Sequence, residues 1–360
     1  MSKVLVAMSG GVDSSVAAKL LMSEGFECIG CTMKLYNNED ACVPRERTCC
    51  SLDDIEDARS VASRLGMPYY VFNFTDEFKE KIICRFVSSY EAGLTPNPCI
   101  DCNRYMKFGH LLERANVLGC DFIATGHYAR IEERDGIYYL KKALDLSKDQ
   151  SYVLYSLTQY ELAHTLFPLG TMEKKEARTL AAESGFLNAE KPDSQDICFV
   201  PDGDYARVVE ANSGRKCEPG DFVDAAGNVL GRHKGLIHYT IGQRKGLGIS
   251  FSRPLYVIDI RPEDNTVVLG DNAELFKREV YVSDFNWISG GVPQGEVRCS
   301  AKIRYRHTEQ PASAFAEGSC VRIVFDEPQR AATPGQAAVL YDGETVLGGG
   351  TICRHQDSNL

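Results

Sequence analysis

The chain opens on an apolar run, Val4-Leu5-Val6-Ala7-Met8, followed at once by Ser9-Gly10-Gly11-Val12-Asp13-Ser14-Ser15. This order reads as a buried strand, a glycine turn and the start of a helix, which is how a backbone builds an anion site. Gly10 and Gly11 can adopt positive φ and let the main chain approach a ligand closely. A helix expected from Val12 to Glu24 would aim its free N–H groups and positive dipole end into the turn. Successive N–H groups there form a nest for phosphate, and Gly25 supplies the stop. An ordinary strand-to-helix turn accounts for one glycine and one serine cap. It does not account for two glycines and several hydroxyl and carboxylate side chains in so short a span. No Lys-Ser/Thr pair follows the glycines, and the spacing is not G-x-G-x-x-G, so neither common phosphate motif fits.

The first half alternates strands and helices. Strands are expected at Lys3–Met8, Phe26–Met33, Tyr69–Phe74 and Asp121–Thr125. Ser51 is positioned to cap a helix that carries Ile55, Ala58, Val61, Ala62 and Leu65 on one face and ends at Gly66. Thr75 is positioned to cap another, with Phe78, Ile82, Phe86 and Tyr90 inward. A third runs from about Tyr105 to Leu118. Such alternation predicts an α/β doubly wound parallel sheet, whose ligands bind at the carboxyl ends of the strands. After about Asp202 short alternating strands and glycine turns take over and predict one or two all-β modules. A domain boundary is expected near Phe199–Tyr205 and a second near Asp271–Lys277.

With 360 residues, 44% hydrophobic and 25% charged, the chain has the composition of a soluble protein of more than one domain. Neither a signal peptide nor a run of membrane-spanning length is found, so a cytoplasmic location is expected. The net charge of −10 argues against a sequence-blind nucleic-acid coat protein. Basic residues nevertheless cluster late: Arg232-His233-Lys234, Arg244-Lys245, and Arg298 with Lys302, Arg304, Arg306 and His307.

Fourteen cysteines in a reducing compartment suggest metal, redox chemistry or packing. Cys28 and Cys31 lie in an expected strand and read as core residues. Thr95-Pro96-Asn97-Pro98-Cys99-Ile100-Asp101-Cys102-Asn103 is a proline-stiffened loop with a C-x-x-C. Cys102 just before a helix fits a thiol of lowered pKa. Cys198 is expected in a short strand-like segment, Ser194–Phe199. Three readings stay open: catalytic thiols Cys102 and Cys198 meeting in space, a metal or iron–sulfur site from Cys99, Cys102 and Cys198, or structural burial. Cys42, Cys49 and Cys50 sit in a polar insert that reads equally as a zinc site or an unstructured loop with unpaired thiols.

The opening loop resembles the pyrophosphate loop of ATP pyrophosphatases. Together with Thr95–Asn103 and Lys107-Phe108, Ala124-Thr-Gly-His-Tyr-Ala-Arg130, Lys148–Tyr152, Ser194–Phe199 and Gly242-Gln-Arg-Lys-Gly246, it resembles the bacterial tRNA-specific 2-thiouridylases. These segments occur in family order across nearly the whole chain. The resemblance implies an ATP-pyrophosphatase domain over 1–202, a central β-rich domain over 203–273 and a C-terminal β-barrel over 274–360. It implies a monomer that thiolates the wobble uridine of tRNAs for Lys, Glu and Gln, using ATP with Mg2+. Sulfur would come from a cysteine desulfurase or a relay protein as a persulfide on Cys198. Cys102 would act as the nucleophile that completes transfer. By position, Ala7, Met8, Ser9, Gly10, Gly11, Val12, Asp13, Ser14, Met33 and Gly126 would contact ATP, with Asp13 on the magnesium side. Asn97, Pro98 and Cys99 would lie by the target base, and His127, Lys148, Asp149, Gln150, Arg304, Tyr305 and Gln336 would touch tRNA. No resident metal ligand is expected from these residues.

Many family members carry aspartate where this chain has Cys99. A thiol with an ordinary pKa of about 8.5 does not replace a carboxylate, and a third cysteine beside Cys102 keeps an iron–sulfur site in play. Two further functions compete with thiolation. A different adenylating ATP pyrophosphatase needs no paired thiols, and a cysteine-rich RNA-binding module without catalysis needs no pyrophosphate loop.

Overall fold

The computed structural model describes residues 1–37, 52–193, 197–214 and 216–354. The Cys42/Cys49/Cys50 insert, the Ser51 cap and Ser194-Gln195-Asp196 lie outside the described residues. Five strands form an all-parallel sheet in the order β3-β2-β1-β4-β7: β1 (Lys3–Ala7), β2 (Glu27–Lys34), β3 (Tyr69–Asn73), β4 (Phe122–Ala124) and β7 (Thr165–Leu166). Val4, Leu5 and Val6 are wholly buried, as a strand covered on both faces requires. Helix α1 (Val12–Ser23) follows β1, and α2 (Leu52–Leu65) joins β2 to β3. The strand order reverses between β1 and β4, so their carboxyl ends open a crevice there.

Two long helices depart from expectation. Helix α3 runs over 75–91, and its N-cap is Phe74 rather than Thr75, with no capping side chain. Helix α4 begins at Pro98, not near Tyr105, and runs to Val117. Asn97 caps it, its side-chain oxygen accepting from the Cys99 N–H at 3.2 Å, and proline at the first helical position lacks the N–H that a cap would serve. Its middle, Cys102–His110, winds with π-type bonds, a distortion common at functional sites.

Short helices α5 (Gln159–Ala163) and α6 (Lys174–Glu183) complete the first unit. The β texture after Asp202 starts one element later than expected, because α7 (Tyr205–Ser213) comes first. The Asp204 side chain caps α7 through the Arg207 N–H, and Gly214 ends it at φ +66°. Then β8 (Gly220–Val223), β9 (Val229–His233), β10 (Tyr256–Arg261) and β11 (Thr266–Gly270) form a small sheet in the order β10-β11-β8-β9. The last six strands are β12 (Phe276–Trp287), β13 (Glu296–Lys302), β14 (Gln310–Glu317), β15 (Cys320–Arg330), β16 (Ala337–Asp342) and β17 (Thr345–Cys353). They pair in the order β12-β15-β14-β13-β16-β17, and β12 pairs with β17 to close a barrel. Closure removes the free edges an open sheet would expose.

The units share cores. The hairpin β5 (Arg130–Arg134) and β6 (Ile137–Lys141) reaches out of the first unit and pairs with β17 at Thr345. Leu5 and Phe108 belong to one apolar cluster with Val339, Tyr341 and Val346 of the barrel. Val208 and Val209 of α7 join Phe78 and Phe86 of α3.

Phe325 is wholly buried inside the barrel. Phe325→Ala is expected to cost about 3–5 kcal/mol. Trp287, the chain's one tryptophan, packs against the same cluster, so its fluorescence during urea unfolding reads the loss locally. An unmoved midpoint would show that the barrel is not packed around this ring.

Candidate active site

The glycine turn after β1 is built as an anion cradle. Gly10 adopts φ +74°, and a Cβ there would stand 2.4 Å from the Asp54 carbonyl oxygen. Gly11 is the N-cap of α1, and no side chain caps that terminus, which leaves the first-turn N–H groups for a ligand. The loop is braced from within. The Ser9 N–H donates to Ser14 Oγ at 3.2 Å, and the Ser14 and Ser15 hydroxyls donate to the Gly11 carbonyl at 3.1 and 3.0 Å. Across the crevice, Gly126 in the turn after β4 packs so tightly that a Cβ would stand 2.7 Å from the Ser14 nitrogen. Ala7, Met8, Val12 and Ser14 complete the strand and first turn, with Met8, Val12 and Ser14 buried. Met33, near the carboxyl end of β2, packs against two of the apolar clusters.

Asp13 in the first turn of α1 accepts from Lys174 Nζ at 2.7 Å on both oxygens and from the Tyr128 hydroxyl at 2.9 Å. The buried Lys174 also pairs with Asp193 at 2.8 Å, and Asp193 further binds Lys148 and Arg178, each at 2.9 Å. Burial alone would raise the Asp193 carboxyl, but hydrogen bonds from Lys174 and Lys148 outweigh it and hold it at about 2. The segment bearing Asp193 is fastened to the cradle a second time. Asn188 Nδ2 donates to the Gly10 carbonyl at 2.9 Å, and Lys191 bridges Asp54 and Asp57 at 2.6 Å. None of Lys174, Asn188, Lys191 and Asp193 was singled out in the sequence, because their partners lie far away along the chain. Only Lys191-Pro192-Asp193, a charged pair around a proline shortly before Cys198, gave a local hint.

Cys102 lies inside α4, not ahead of it, and is 9% exposed. Its thiol is pushed up to about 11 by burial, against the opposing pull of Lys107, so the expected lowering at a helix start does not occur. Cys198 lies in a turn rather than a strand. Its carbonyl accepts from the Tyr36 hydroxyl at 2.7 Å. The buried Phe199 beside it packs edge-on against Phe78 and Phe86, at 5.7 and 5.2 Å between ring centres. Cys102 belongs to this same apolar cluster, and Cys198 packs against it. Cys99 is exposed, and all three residues are thiols. Among the described residues, no group of three His, Cys, Asp or Glu side chains is placed to hold a metal ion.

His127 is buried against Phe108 and Phe167. Burial first, and then the Lys107 charge, hold its imidazole well below the usual range and therefore neutral. Lys107 Nζ stands 3.4 Å from Nε2 and can only donate, so Nδ1–H donates to Thr125 Oγ1 at 2.7 Å. Lys107 thus bonds to His127 and is near enough for its charge to act on the Cys102 thiol.

Asp149 and Gln150 hold neighbouring loops. The Asp149 carboxylate accepts from Ala143 N–H and the Ser151 hydroxyl, and Gln150 Oε1 accepts from Tyr128 N–H. The barrel supplies a further wall. Gln336 Nε2 donates to the Thr95 carbonyl at 2.8 Å, and Thr95 N–H donates to Pro334 O at 2.9 Å, which clamps the turn containing Asn97 and Pro98. Tyr305, 40% exposed, stands 5.9 Å from the Tyr152 ring. Arg304 donates to the Arg330 carbonyl at 3.0 Å.

Because the folded-state Asp193 carboxyl is depressed, it contributes stability that is present above its ordinary value of about 4 and is lost as pH falls towards about 2. Lys174→Met takes the ion-pair partner from Asp13 and leaves Asp193 with Lys148 and Arg178. It is expected to cost about 3 kcal/mol at neutral pH and to raise the acid-unfolding midpoint followed by circular dichroism. An unchanged midpoint would show that Lys174 does not hold Asp193.

Among the described residues no helix is long and apolar enough to cross a membrane. Residues 2–202 match the tRNA methyl transferase HUP domain, 209–271 the tRNA methyl transferase PRC-barrel domain, and 277–352 the aminomethyltransferase beta-barrel domain. Full-length relatives carry a different name. The tRNA-specific 2-thiouridylase MnmA of Clostridioides difficile is 53% identical over 97% of this chain and 98% of its own. That of Acetivibrio thermocellus is 51% identical over 97% and 99%, and that of Symbiobacterium thermophilum 51% identical over 98% and 92%. With half its residues shared along nearly its entire length, and a nucleotide-type cradle set beside a cysteine helix under a closed barrel, the chain belongs to the tRNA-specific 2-thiouridylase family.

Proposed function

We propose that this chain is a tRNA-uridine 2-sulfurtransferase that spends ATP on the C2 oxygen of the wobble uridine and replaces it with sulfur, in tRNAs for Lys, Glu and Gln. The observation that carries this reading is the convergence of Cys102 and Cys198 on one apolar cluster beside the crevice that holds the uncapped helix. An adenylating enzyme of another kind has no use for that pair.

The chemistry follows from the parts. A uridine C2 carbonyl is a poor electrophile. Attack by its oxygen on the α-phosphorus of ATP expels pyrophosphate and leaves AMP on C2 as a leaving group. The cradle Ser9–Ser14 with Gly126 opposite offers backbone N–H donors to the phosphates. Magnesium fits the same place in part: Asp13 is the nearby hard oxygen donor, but Lys174 and Tyr128 already occupy it, so the ion would draw most ligands from phosphate and water. The outer sulfur of a Cys198 persulfide attacks C2 and AMP departs. Cys102 then attacks Cys198 Sγ, the persulfide bond breaks, and the sulfur stays on the base. Cys102 and Cys198 are left as a disulfide. Lys107, already opposing burial at Cys102, stabilises the thiolate when Cys102 loses its proton.

The exposed Tyr305, with Lys302 Nζ 5.7 Å from its ring centre, suits a flipped base or a phosphate. Lys148, with 38% of its side chain exposed, offers a second cation. An iron–sulfur cluster on Cys99, Cys102 and Cys198 does not fit the arrangement of donors among the described residues. The persulfide itself would be supplied by a cysteine desulfurase, directly or through a relay.

Protein prepared in air without a cluster is expected to form 2-thiouridine on tRNA when given ATP and a persulfide donor. Cys102→Ala and Cys198→Ala are each expected to lower the rate by more than about a hundredfold. Mass spectrometry of the tRNA reads the product. Activity that survives both substitutions, or that requires a reconstituted cluster, would overturn the thiol route. Unchanged 2-thiouridine at position 34 in cells lacking the chain would overturn the function.

A further inference from the structure

The reaction above ends with Cys102 and Cys198 oxidised, and a second turnover needs both as thiols. Cys102 is buried within α4, so a reductant meets the resulting disulfide with one sulfur out of reach. Cys99 stands three residues earlier on the same helix, and it is exposed. With a rise of about 1.5 Å per residue on a cylinder of about 2.3 Å radius, residues three apart on a helix have Cα atoms about 5 Å apart, within the Cα spacing of about 4.4–6.8 Å that a disulfide tolerates. Cys99 is near enough for its charge to act on the Cys102 thiol. It occupies the second position of a helix whose N-terminus is held by Asn97. The barrel clamps the turn before it through Gln336 and Pro334, so the pair is fixed against the helix while one sulfur faces solvent.

We infer that Cys99 is the resolving thiol of this enzyme, carrying the oxidation from the buried Cys102–Cys198 disulfide to an exposed Cys99–Cys102 disulfide that a soluble dithiol reductant can reach. The inference rests on the sulfur-transfer reading above. Cys99 gives its proton to water and its thiolate attacks Cys102 Sγ. A Cys99–Cys102 bond forms, the Cys102–Cys198 bond breaks, and the electron pair leaves on Cys198 Sγ, which takes up a proton. No net oxidation occurs in this step. Cys198 is then a thiol ready for a new persulfide. An external dithiol next attacks Cys99 Sγ, Cys102 departs and is protonated, and the second thiol of the reductant closes its own disulfide. The two electrons come from that dithiol. Attack at Cys102 rather than at Cys198 follows from helix geometry, and burial, which makes the Cys102 thiol a weak acid, directs the leaving charge to Cys198.

Two measurements test this. In the first, the full chain undergoes one turnover with tRNA, ATP and a small-molecule persulfide, without reductant, and is trapped with iodoacetamide for peptide mapping. The expected disulfide is Cys99–Cys102, with Cys198 alkylated. In Cys99→Ser the trapped disulfide becomes Cys102–Cys198, and the ratio of steady-state to first-turnover rate with a dithiol reductant falls about tenfold. In the second, the resting protein is equilibrated in glutathione redox buffers without tRNA or ATP, and Cys99–Cys102 is expected to be the first disulfide formed. A wild-type disulfide that stays between Cys102 and Cys198 while Cys99 is alkylated would overturn the inference and leave the sulfur-transfer reading intact. Failure to form 2-thiouridine in the first measurement would count against that reading, and the redox titration would still decide whether Cys99 and Cys102 form a couple.

Discussion

The reversal of strand order between β1 and β4 decides where everything else in this protein can stand. Parallel strands send their following loops to one edge, and only at the reversal do two loops diverge and leave space between them. The glycine turn after β1 and the Thr125-Gly126-His127 turn after β4 are those loops. Gly126 lets them close to within contact of α1, and His127 turns a neutral, hydrogen-bonded face towards Lys107. With Gly11 at its N-cap, the end of α1 has no capping side chain for its first N–H groups. Its donors are an unmet demand that a phosphate satisfies.

From that edge two tethers lead towards Cys102 and Cys198. One is electrostatic: Asp13, Lys174 and Asp193 form a continuous chain of charge from the cradle to the segment that continues to Cys198. A buried lysine between two carboxylates is stable only while all three stay together, so the cradle and that segment are held as one body. The other is apolar: Phe199 sits among the rings of α3, and Cys102 enters the same cluster from α4. The barrel closes the remaining side. It contributes Gln336 and Pro334 to the turn before α4 and Tyr305 beside Tyr152. The candidate site is therefore shared between the first unit and the barrel, and the common core of Leu5 and Phe108 with Val339 and Tyr341 keeps their faces in register.

Local chemistry was readable wherever a few adjacent residues carry the whole constraint. The strand–turn–helix opening, the starts and stops at Gly25, Gly66 and Gly119, and the hairpins of the late β region depend on glycine conformations and short periodicities, which neighbouring residues settle. Helix α7 carried the same signal in Asp204 and Gly214 and was hidden by the β texture around it. The start of α4 was missed for a related reason. Proline reads as a breaker, yet at the first position of a helix it costs no hydrogen bond, and the Asn97 cap confirms the start at Pro98. The Cys102 pKa failed differently: helix position argues for a lowered value, whereas burial is set by α3, α4 and the Phe199 turn packing together, and burial wins.

By itself, then, the sequence determined the anion cradle, the alternation that makes a parallel sheet, the β character of the later half and the pair of cysteines with a third beside them. These are properties of short stretches, where backbone preference and hydrophobic period act over a few residues. Tertiary structure alone decided that Lys174 and Asp193 would complete the cradle, that the barrel would clamp the cysteine turn, and that Cys102 would be hidden while Cys99 faces water. Each of those depends on burial and on partners far apart in the chain, and the free energy of a buried charge or thiol is fixed by what surrounds it in space.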